Sequence, residues 1–161
     1  MRLTSFFFCV VLLGPATMPS ARGEDAREWH VVIHTHSWHS SHPQGLRWNE
    51  NNWGLGVRHD VAPGWSWQTG VYRNSLERSS AYVLGDWLPL GGRAWSLGAS
   101  GGLVAGGYSL PVIAVAGLVG RIQAEDFCVT LRLFPKPPRA VLAHDAHRSA
   151  LVAIEFSWAV K

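Results

Sequence analysis

The stretch "SALVAIEFSWAVK" (149–161) decides the fold class, because two kinds of residue alternate along it. One set is apolar: Ala150, Val152, Ile154, Phe156, Trp158 and Val160. The other set is mostly small or polar: Leu151, Ala153, Glu155, Ser157 and Ala159. Successive side chains of a β-strand point to opposite faces, so a period of two predicts a strand. This strand has one apolar face and one small or polar face.

The same alternation recurs in "DFCVTLRLFP" (126–135), where Cys128, Thr130 and Arg132 share the face opposite four apolar residues. Six earlier segments show the pattern with less contrast. The predicted strands cover about residues 29–39, 52–60, 65–74, 79–89, 93–105, 112–123, 126–134 and 149–160. The segments between them are rich in Gly, Pro, Ser and Asp, which are turn formers. No useful length of chain has helical periodicity.

The N-terminal segment has the composition of a secretory signal peptide. Arg2 precedes the apolar run "FFFCVVLLG" (6–14), and "ARG" (21–23) fits a cleavage site with small residues. The apolar run is too short to cross a membrane as a helix. We therefore expect a cleaved signal peptide at residues 1–23 and one barrel domain at residues 24–161.

Cleavage changes the charge and the cysteine count. Arg2 and Arg22 would leave, which lowers the formal charge of +3 by two. No cluster of Lys and Arg remains to follow a phosphate backbone, so a nucleic-acid partner is not expected. Cys9 would leave as well, so Cys128 would stand alone and could not close an internal disulfide.

Eight antiparallel strands can form a soluble sandwich or a closed barrel. Most predicted strands are close to the ~9–11 residues that a tilted transmembrane strand needs. Tryptophans lie near predicted strand ends, as in an aromatic girdle. These are Trp29, Trp38, Trp53, Trp65, Trp67, Trp87, Trp95 and Trp158. We predict an all-β, eight-stranded antiparallel up-and-down transmembrane β-barrel, monomeric, in the outer membrane of a Gram-negative bacterium.

Four stretches follow one another in an order and spacing that resemble a known family. They are "WNENNWGLGVR" (48–58), "GVYRNSLERSSAYVLGDW" (70–87), "YSLPVIAVAGLVG" (108–120) and "LRLFP" (131–135). Together they resemble the lipid A palmitoyltransferase (PagP) family of Gram-negative outer membranes. The resemblance implies a barrel whose interior holds one acyl chain. It also implies transfer of a palmitoyl group from a phospholipid to lipid A, with no metal or soluble cofactor.

The resemblance implies a histidine, an aspartate and a serine at the extracellular rim. The serine falls on Ser75, whereas the aspartate falls on Asn74, which departs from the family. A serine can act as nucleophile or as a donor to the oxyanion. Asn74 could orient a histidine by a hydrogen bond but could not stabilise an imidazolium by charge. Alternatively, "YRNS" (72–75) is turn chemistry, in which Asn and Ser bond their own backbone.

The implied histidine belongs within "HTHSWHSSH" (34–42), where four histidines occupy nine positions. His39 fits best as the base that takes a proton from the attacking hydroxyl. His36 and His42 remain alternatives. His34 and His36 would share a face of a regular strand and could bind a metal ion. We expect no metal, because no cysteine or acid lies close by in sequence, and most of these histidines could instead be polar rim or lumen residues.

Three further residues are candidates for substrate binding: Tyr82, Asp86 and Arg73. The family's interior glycine, which sets acyl-chain length, falls on Asp86. A charge on the lipid face costs up to ~2–4 kcal/mol for basic residues and less for acids. Asp86 should therefore face the lumen together with Tyr82. There it would shorten the acyl pocket, or pair with an arginine such as Arg132 and plug it.

Arg73, Arg58 and Arg78 lie near predicted strand ends. Their planar guanidinium groups could bind the phosphates of lipid A, or they could be solvated rim residues. Glu50 could support the site or belong to a loop.

The sequence therefore leads to three functions. The first is transfer of an acyl chain, palmitoyl or shorter, from a phospholipid donor to lipid A. The second is a non-catalytic outer-membrane barrel that binds a lipid. The third is a soluble periplasmic β-sandwich with a histidine metal site.

Overall fold

The computed structural model describes residues 28–41, 47–106, 110–136 and 149–160. Its strands are β1 (Trp29–His39), β2 (Asn51–Ala62), β3 (Trp65–Arg73), β4 (Ser79–Gly91), β5 (Trp95–Ala105), β6 (Val112–Ala124), β7 (Phe127–Phe134) and β8 (Leu151–Val160). Each strand pairs with the next in antiparallel fashion, and β8 pairs with β1, so the sheet closes into a barrel. The proposed signal peptide and His42 lie outside the described residues.

The closed barrel confirms the predicted architecture and rules out the soluble sandwich. Every predicted strand end lies within two residues of the observed one. Four ends shift by two residues, among them the end of β2, where the strand continues to Ala62 past a register irregularity after Asp60. The turn then needs only Pro63 and Gly64, and Gly64 adopts a φ of 74°, which a residue without a Cβ tolerates. The described residues contain no helix that is long and apolar enough to span a membrane.

The alternation read from the sequence separates the lumen from the outer surface. In β8, Glu155 and Ser157 are buried and point inward, while Trp158 is exposed. In β7, Cys128, Thr130 and Arg132 are buried in the same way. In both strands, the residues predicted to share the polar face point into the lumen, because each strand keeps its period of two through the closed sheet.

The outer surface is an apolar band. Large side chains exposed on it include Leu55, Val57, Val71, Val83, Leu97, Leu103, Leu118, Ile122, Leu131 and Leu133. Seven of the eight tryptophans near strand ends are also exposed: Trp29, Trp38, Trp53, Trp65, Trp87, Trp95 and Trp158. An outward-facing apolar band bordered by aromatic residues is the surface of a transmembrane barrel.

The two ends of the barrel differ. At one end, which we call the turn end, lie the start of β1, the end of β8 and the short turns β2–β3, β4–β5 and β6–β7. At the other, the loop end, lie the connections β1–β2, β3–β4, β5–β6 and β7–β8. Outer-membrane barrels have short turns on the periplasmic side and longer loops outside. If this barrel follows the same rule, its loop end faces the outside of the cell.

A bulge in β1 corrects one expectation about the histidines. The pairing register shifts between His34 and His36, because a bulge inserts an extra residue and reverses the alternation. His34 lies opposite the inward-facing Glu155, whereas His36 lies opposite Ile154, whose side chain belongs to the outward set. His34 and His36 therefore do not share a face, and the prediction that they could form a metal-binding pair is wrong. Beyond the bulge, His39 belongs to the inward-facing set.

Candidate functional site

Asn74 closes the β3–β4 turn at the loop end. Its side-chain oxygen accepts hydrogen bonds from the backbone N–H of Leu76 (2.9 Å) and of Arg78 (3.0 Å). Its amide nitrogen donates to the hydroxyl of Ser80 over 3.0 Å. These bonds occupy both acceptor sites and one of the two donor hydrogens of the amide. The turn chemistry considered for "YRNS" is therefore present, and one N–H remains for any other partner.

Trp48 and Asn49 lie in the β1–β2 connection and contact His39 and the β3–β4 turn, respectively. The backbone N–H of Asn49 donates to the carbonyl of Ser75 over 2.9 Å, and its side chain donates to the carbonyl of Asn74 over 3.2 Å. The neighbouring Trp48 stacks on the ring of His39, with centroids 4.4 Å apart and planes 9° from parallel. Two consecutive residues thus connect His39 with the turn that carries Ser75.

Asn52 joins three strands just below this rim. It is buried, donates to the carbonyl of Arg73 over 3.0 Å, and accepts a hydrogen bond from Ser37. The asparagine-rich sequence "NENN" (49–52) therefore serves to hold β1, β2 and β3 in register at the loop end.

His36 occupies a different place from His39. Its ring meets that of Trp38 edge-on at 4.5 Å, and its Nδ1 lies 3.3 Å from the side-chain oxygen of Asn51. Both neighbours are exposed. Of these two candidate bases, the one whose strand position faces the lumen is His39.

The three arginines predicted near strand ends separate into two groups. Arg73 is exposed at the rim and forms an ion pair with Glu77 at 3.5 Å, with 58% and 70% of their side chains exposed. Arg78 is exposed as well. Arg58 is 1% exposed and lies inside the barrel. The expectation that Arg58 meets lipid phosphates or solvent at a rim is therefore wrong, because it occupies an inward position of β2.

The lumen is apolar just below the rim. Tyr82, Leu84 and Val104 are buried together, and the partly buried side chains of Tyr72, Ile113, Val115 and Phe134 pack against them. We call this set the apolar cluster. Tyr82 crosses the lumen above Gly70, where an added Cβ would lie 2.8 Å from the Tyr82 hydroxyl. The same Cβ would also meet the backbone of Leu55 and Gly56, so glycine at that position permits both the close approach of β2 and the placement of the tyrosine.

The floor of the apolar cluster is polar. The Tyr82 hydroxyl lies 2.7 Å from Nε2 of His34 and accepts a hydrogen bond from Gln68 over 3.0 Å. On the other side of the imidazole, Nδ1 of His34 lies 3.4 Å from a carboxylate oxygen of Glu155. A histidine thus bridges a phenol and a carboxylate at the boundary between the two halves of the lumen. The spacing of these residues in sequence carries no signal for this arrangement.

Below that floor, Arg132 has a partner for every guanidinium N–H. It donates from Nε to Glu155 (3.0 Å), from Nη1 to Asp86 (2.6 Å) and to Ser100 (2.7 Å). From Nη2 it donates to Asp86 (3.0 Å) and to Gln68 (3.1 Å). Five donors meeting five acceptors is the full capacity of an arginine. Asp86 therefore pairs with Arg132, which is one of the two roles considered for it.

The polar interior continues to the turn end. Arg121 donates to Asp86 and, over 2.8 Å, to Ser66. Asp60 lies 3.1 Å from Arg58 and 3.7 Å from Arg121. We call the ion-paired side chains of Arg58, Asp60, Asp86, Arg121, Arg132 and Glu155 the buried charge network. Burial of charges is costly unless each is paired, and here the acids and arginines balance.

Sequence reasoning found part of this network. It placed Asp86 and Arg132 inside the barrel, and it put Glu155 on the polar face of β8. It missed Arg121, Asp60 and the interior position of Arg58. The same alternation could have located Arg121, because it follows the inward Val119 by two residues in β6. Within the described residues, no group of three or more His, Cys, Asp or Glu side chains is placed to hold a metal ion.

A closed eight-stranded barrel with an apolar exterior and a polar lumen belongs to the class of small outer-membrane β-barrels. The chain is similar in structure to the outer membrane protein Ail of Yersinia pestis, whose backbone structure was solved in a phospholipid bilayer nanodisc. The TM-score is 0.50 at 10% sequence identity, over 83% of this chain and 99% of that chain. This likeness shows the shared fold alone. No protein-family model and no curated protein sequence matches the chain.

Proposed function

We propose that the protein is an outer-membrane acyltransferase that holds an acyl chain in the loop-end half of its lumen. It would transfer that chain from a phospholipid to a lipid A acceptor. One observation carries the proposal: the apolar cluster lies in the loop-end half of the lumen, below the rim where Trp48 and Asn49 contact His39 and the turn that carries Ser75. The resemblance to the lipid A palmitoyltransferase family points to the same place.

The depth of the apolar cluster sets the size of the acyl chain. Along β4 the inward residues are Ser80 at the rim, then Tyr82 and Leu84, and then the charged Asp86. Four residues of strand cover about 13 Å. Because barrel strands tilt by about 35–45°, the apolar depth along the barrel axis is about 10 Å. We therefore expect the acyl chain to be shorter than palmitate.

Each rim residue has a defined role in this proposal. His39, whose ring plane is held by the stacking on Trp48, would take the proton from the attacking hydroxyl. Ser75 would act as nucleophile or as donor to the oxyanion. Asn74 would act mainly as the cap that positions Ser75. The exposed Arg73 would bind a lipid phosphate, for which a planar guanidinium is suited.

Export by a signal peptide at residues 1–23 and a monomeric barrel in the outer membrane belong to the same proposal. The apolar outer band supports the membrane location, since contiguous apolar surface of this extent is not exposed to water by soluble monomers.

One observation favours a second candidate, a barrel that binds a lipid without chemistry. The Asn74 amide is engaged by its turn, and it carries no charge to stabilise a protonated histidine. If this candidate holds, the apolar cluster would still bind an acyl chain, but no acyl group would be transferred.

The test separates these candidates by measuring binding and transfer. Lipid A from cells with and without the gene is compared by mass spectrometry, and the refolded protein is titrated with a lipid that carries a fluorescent acyl chain. We expect an added acyl group that disappears in His39→Ala and in Ser75→Ala.

His36→Ala is the matched control, because His36 lies on the outward side of the same strand end. Binding without transfer would favour the second candidate, and loss of transfer only in His36→Ala would show that the rim is assigned wrongly. Absence of both binding and transfer would contradict both candidates.

A further inference from the structure

Two arginines at the turn end lack the partners that Arg132 has. Nε and Nη2 of Arg58, and Nε and Nη1 of Arg121, form no hydrogen bond with any group in the described part of the chain. Arg58 is 1% exposed and Arg121 is 3% exposed, so bulk water does not replace those bonds. A buried donor without an acceptor costs free energy comparable to a lost hydrogen bond, and more when it is charged.

Two of these nitrogens lie near one carboxylate. Nε of Arg58 lies 3.1 Å and Nη1 of Arg121 lies 3.7 Å from the same oxygen of Asp60, and neither contact has hydrogen-bond geometry. Nε2 of His30 lies 3.4 Å from the other oxygen of Asp60. In the buried part of this region one carboxylate, whose Oδ1 forms no hydrogen bond in the described part of the chain, faces two guanidinium groups and an imidazole. The half-exposed carboxylate of Glu28 lies 3.7 Å from the same imidazole.

The charges of the network are unevenly divided along the barrel axis. Arg132 faces two carboxylates, those of Asp86 and Glu155. Arg58 and Arg121 both face the carboxylate of Asp60. Arg121 also contacts Asp86, but that carboxylate is paired with Arg132 as well. The turn-end part of the network therefore carries an excess of positive charge next to donors without partners.

We propose that a small monovalent anion such as chloride binds between Arg58 and Arg121, beside Asp60. An anion accepts several hydrogen bonds at once and offsets the local positive charge, which an ordered water does not. Asp60 and Glu28 are partly exposed, with 12% and 49% of their side chains accessible, so a small ion can enter from the turn end. The site is separate from the rim and does not depend on acyl transfer.

The direct test uses bromide, which can be located by its anomalous scattering. Crystals of the full chain, refolded in detergent, are soaked in sodium bromide. We expect an anomalous peak within contact distance of the guanidinium groups of Arg58 and Arg121, beside Asp60. Density there that has no anomalous signal would show that water occupies the position, and the proposal would be overturned.

A solution test compares unfolding in urea with sodium chloride and with sodium gluconate at equal ionic strength. Urea is needed because guanidinium chloride would supply the anion. We expect chloride to raise the unfolding midpoint of the wild type by mass action, since an ion that binds only the folded state stabilises it. Glu77→Gln, an exposed rim change, serves as the control and should show the same chloride effect.

Two variants should change the chloride-dependent rise of the unfolding midpoint in opposite directions. Arg58→Gln should abolish the difference between chloride and gluconate. Asp60→Asn removes the competing carboxylate, so it should unfold earlier than wild type in gluconate and bind chloride roughly tenfold more tightly or better. If Arg58→Gln does not fold, Asp60→Asn and the bromide peak decide the matter. Superimposable curves in the two salts for both wild type and Asp60→Asn would refute the anion site.

Discussion

Replacing Asp86 by Asn should destabilise the barrel strongly while leaving the rim intact. The carboxylate is 1% exposed. It accepts two hydrogen bonds from Arg132, at 2.6 Å and 3.0 Å, and a further one from Arg121. Asn keeps the volume but removes the charge, and its amide N–H groups would face guanidinium donors. The substitution thus leaves two buried arginines with too few acceptors.

The expected cost follows from this geometry. Removing one partner of a buried ion pair costs about 3–5 kcal/mol, because an uncompensated charge stays in a medium of low dielectric constant. Glu77→Gln provides the control, since the Arg73–Glu77 pair is largely exposed. Exposed pairs contribute only about 0–1 kcal/mol. The free energy of unfolding should therefore fall several-fold more in Asp86→Asn than in Glu77→Gln.

The assay is reversible unfolding of the refolded protein in urea with detergent or lipid vesicles, followed by tryptophan fluorescence. Trp87 neighbours Asp86 in β4, and the chain contains nine tryptophans. Migration of unboiled samples on a detergent gel reports the folded fraction independently. Equal free energies of unfolding for the two variants would refute the claim that Asp86 is a paired residue of the buried charge network.

The same pairing changes the expected result of Asp86→Gly. At the sequence level, this substitution would lengthen the acyl pocket. In the structure, Arg132 and Arg121 lie below the floor of the apolar cluster, and they remain there after the carboxylate is removed. Asp86→Gly should therefore destabilise the barrel without admitting a longer acyl chain. Transfer or binding of longer chains by this variant would contradict that conclusion.

Asn74→Asp should destabilise the β3–β4 turn by about 1–3 kcal/mol, although it restores the residue type that the family resemblance implies. The Ser80 hydroxyl donates its hydrogen to a backbone carbonyl at 2.6 Å, so it cannot also donate to a new carboxylate at position 74. Unchanged urea stability with increased acyl transfer would instead favour a catalytic Asp–His pair. Gly70→Ala should cost about 1–3 kcal/mol, because its Cβ would meet the backbone oxygen of Leu55 and would lie 2.6 Å from Cα of Gly56 and 2.8 Å from the Tyr82 hydroxyl. Gly85→Ala is the control, since the nearest atom lies at 3.9 Å; equal urea midpoints for these two variants would contradict the packing.

The sequence by itself determined the strands and the side of the sheet on which each residue lies. Alternation is a local property with a period of two, so β7 and β8 could be assigned face by face from their residues alone. The inward position of Asp86 followed from the cost of exposing a charge to lipid tails. The number of strands and the surface tryptophans were predictable for the same reason, since each depends on one segment at a time.

Only the tertiary structure decided which inward residues meet. Tyr82 bonds His34 from a strand 48 residues away, and this pairing depends on the register and on the closure of the barrel. The bulge in β1 reversed the facing of His36, because a single inserted residue changes every side chain beyond it. Arg58 faces the lumen and lies beside Asp60 there, although the sequence placed it only near the end of a predicted strand. Local patterns fix a side chain's face, but contacts across a barrel depend on all eight strands together.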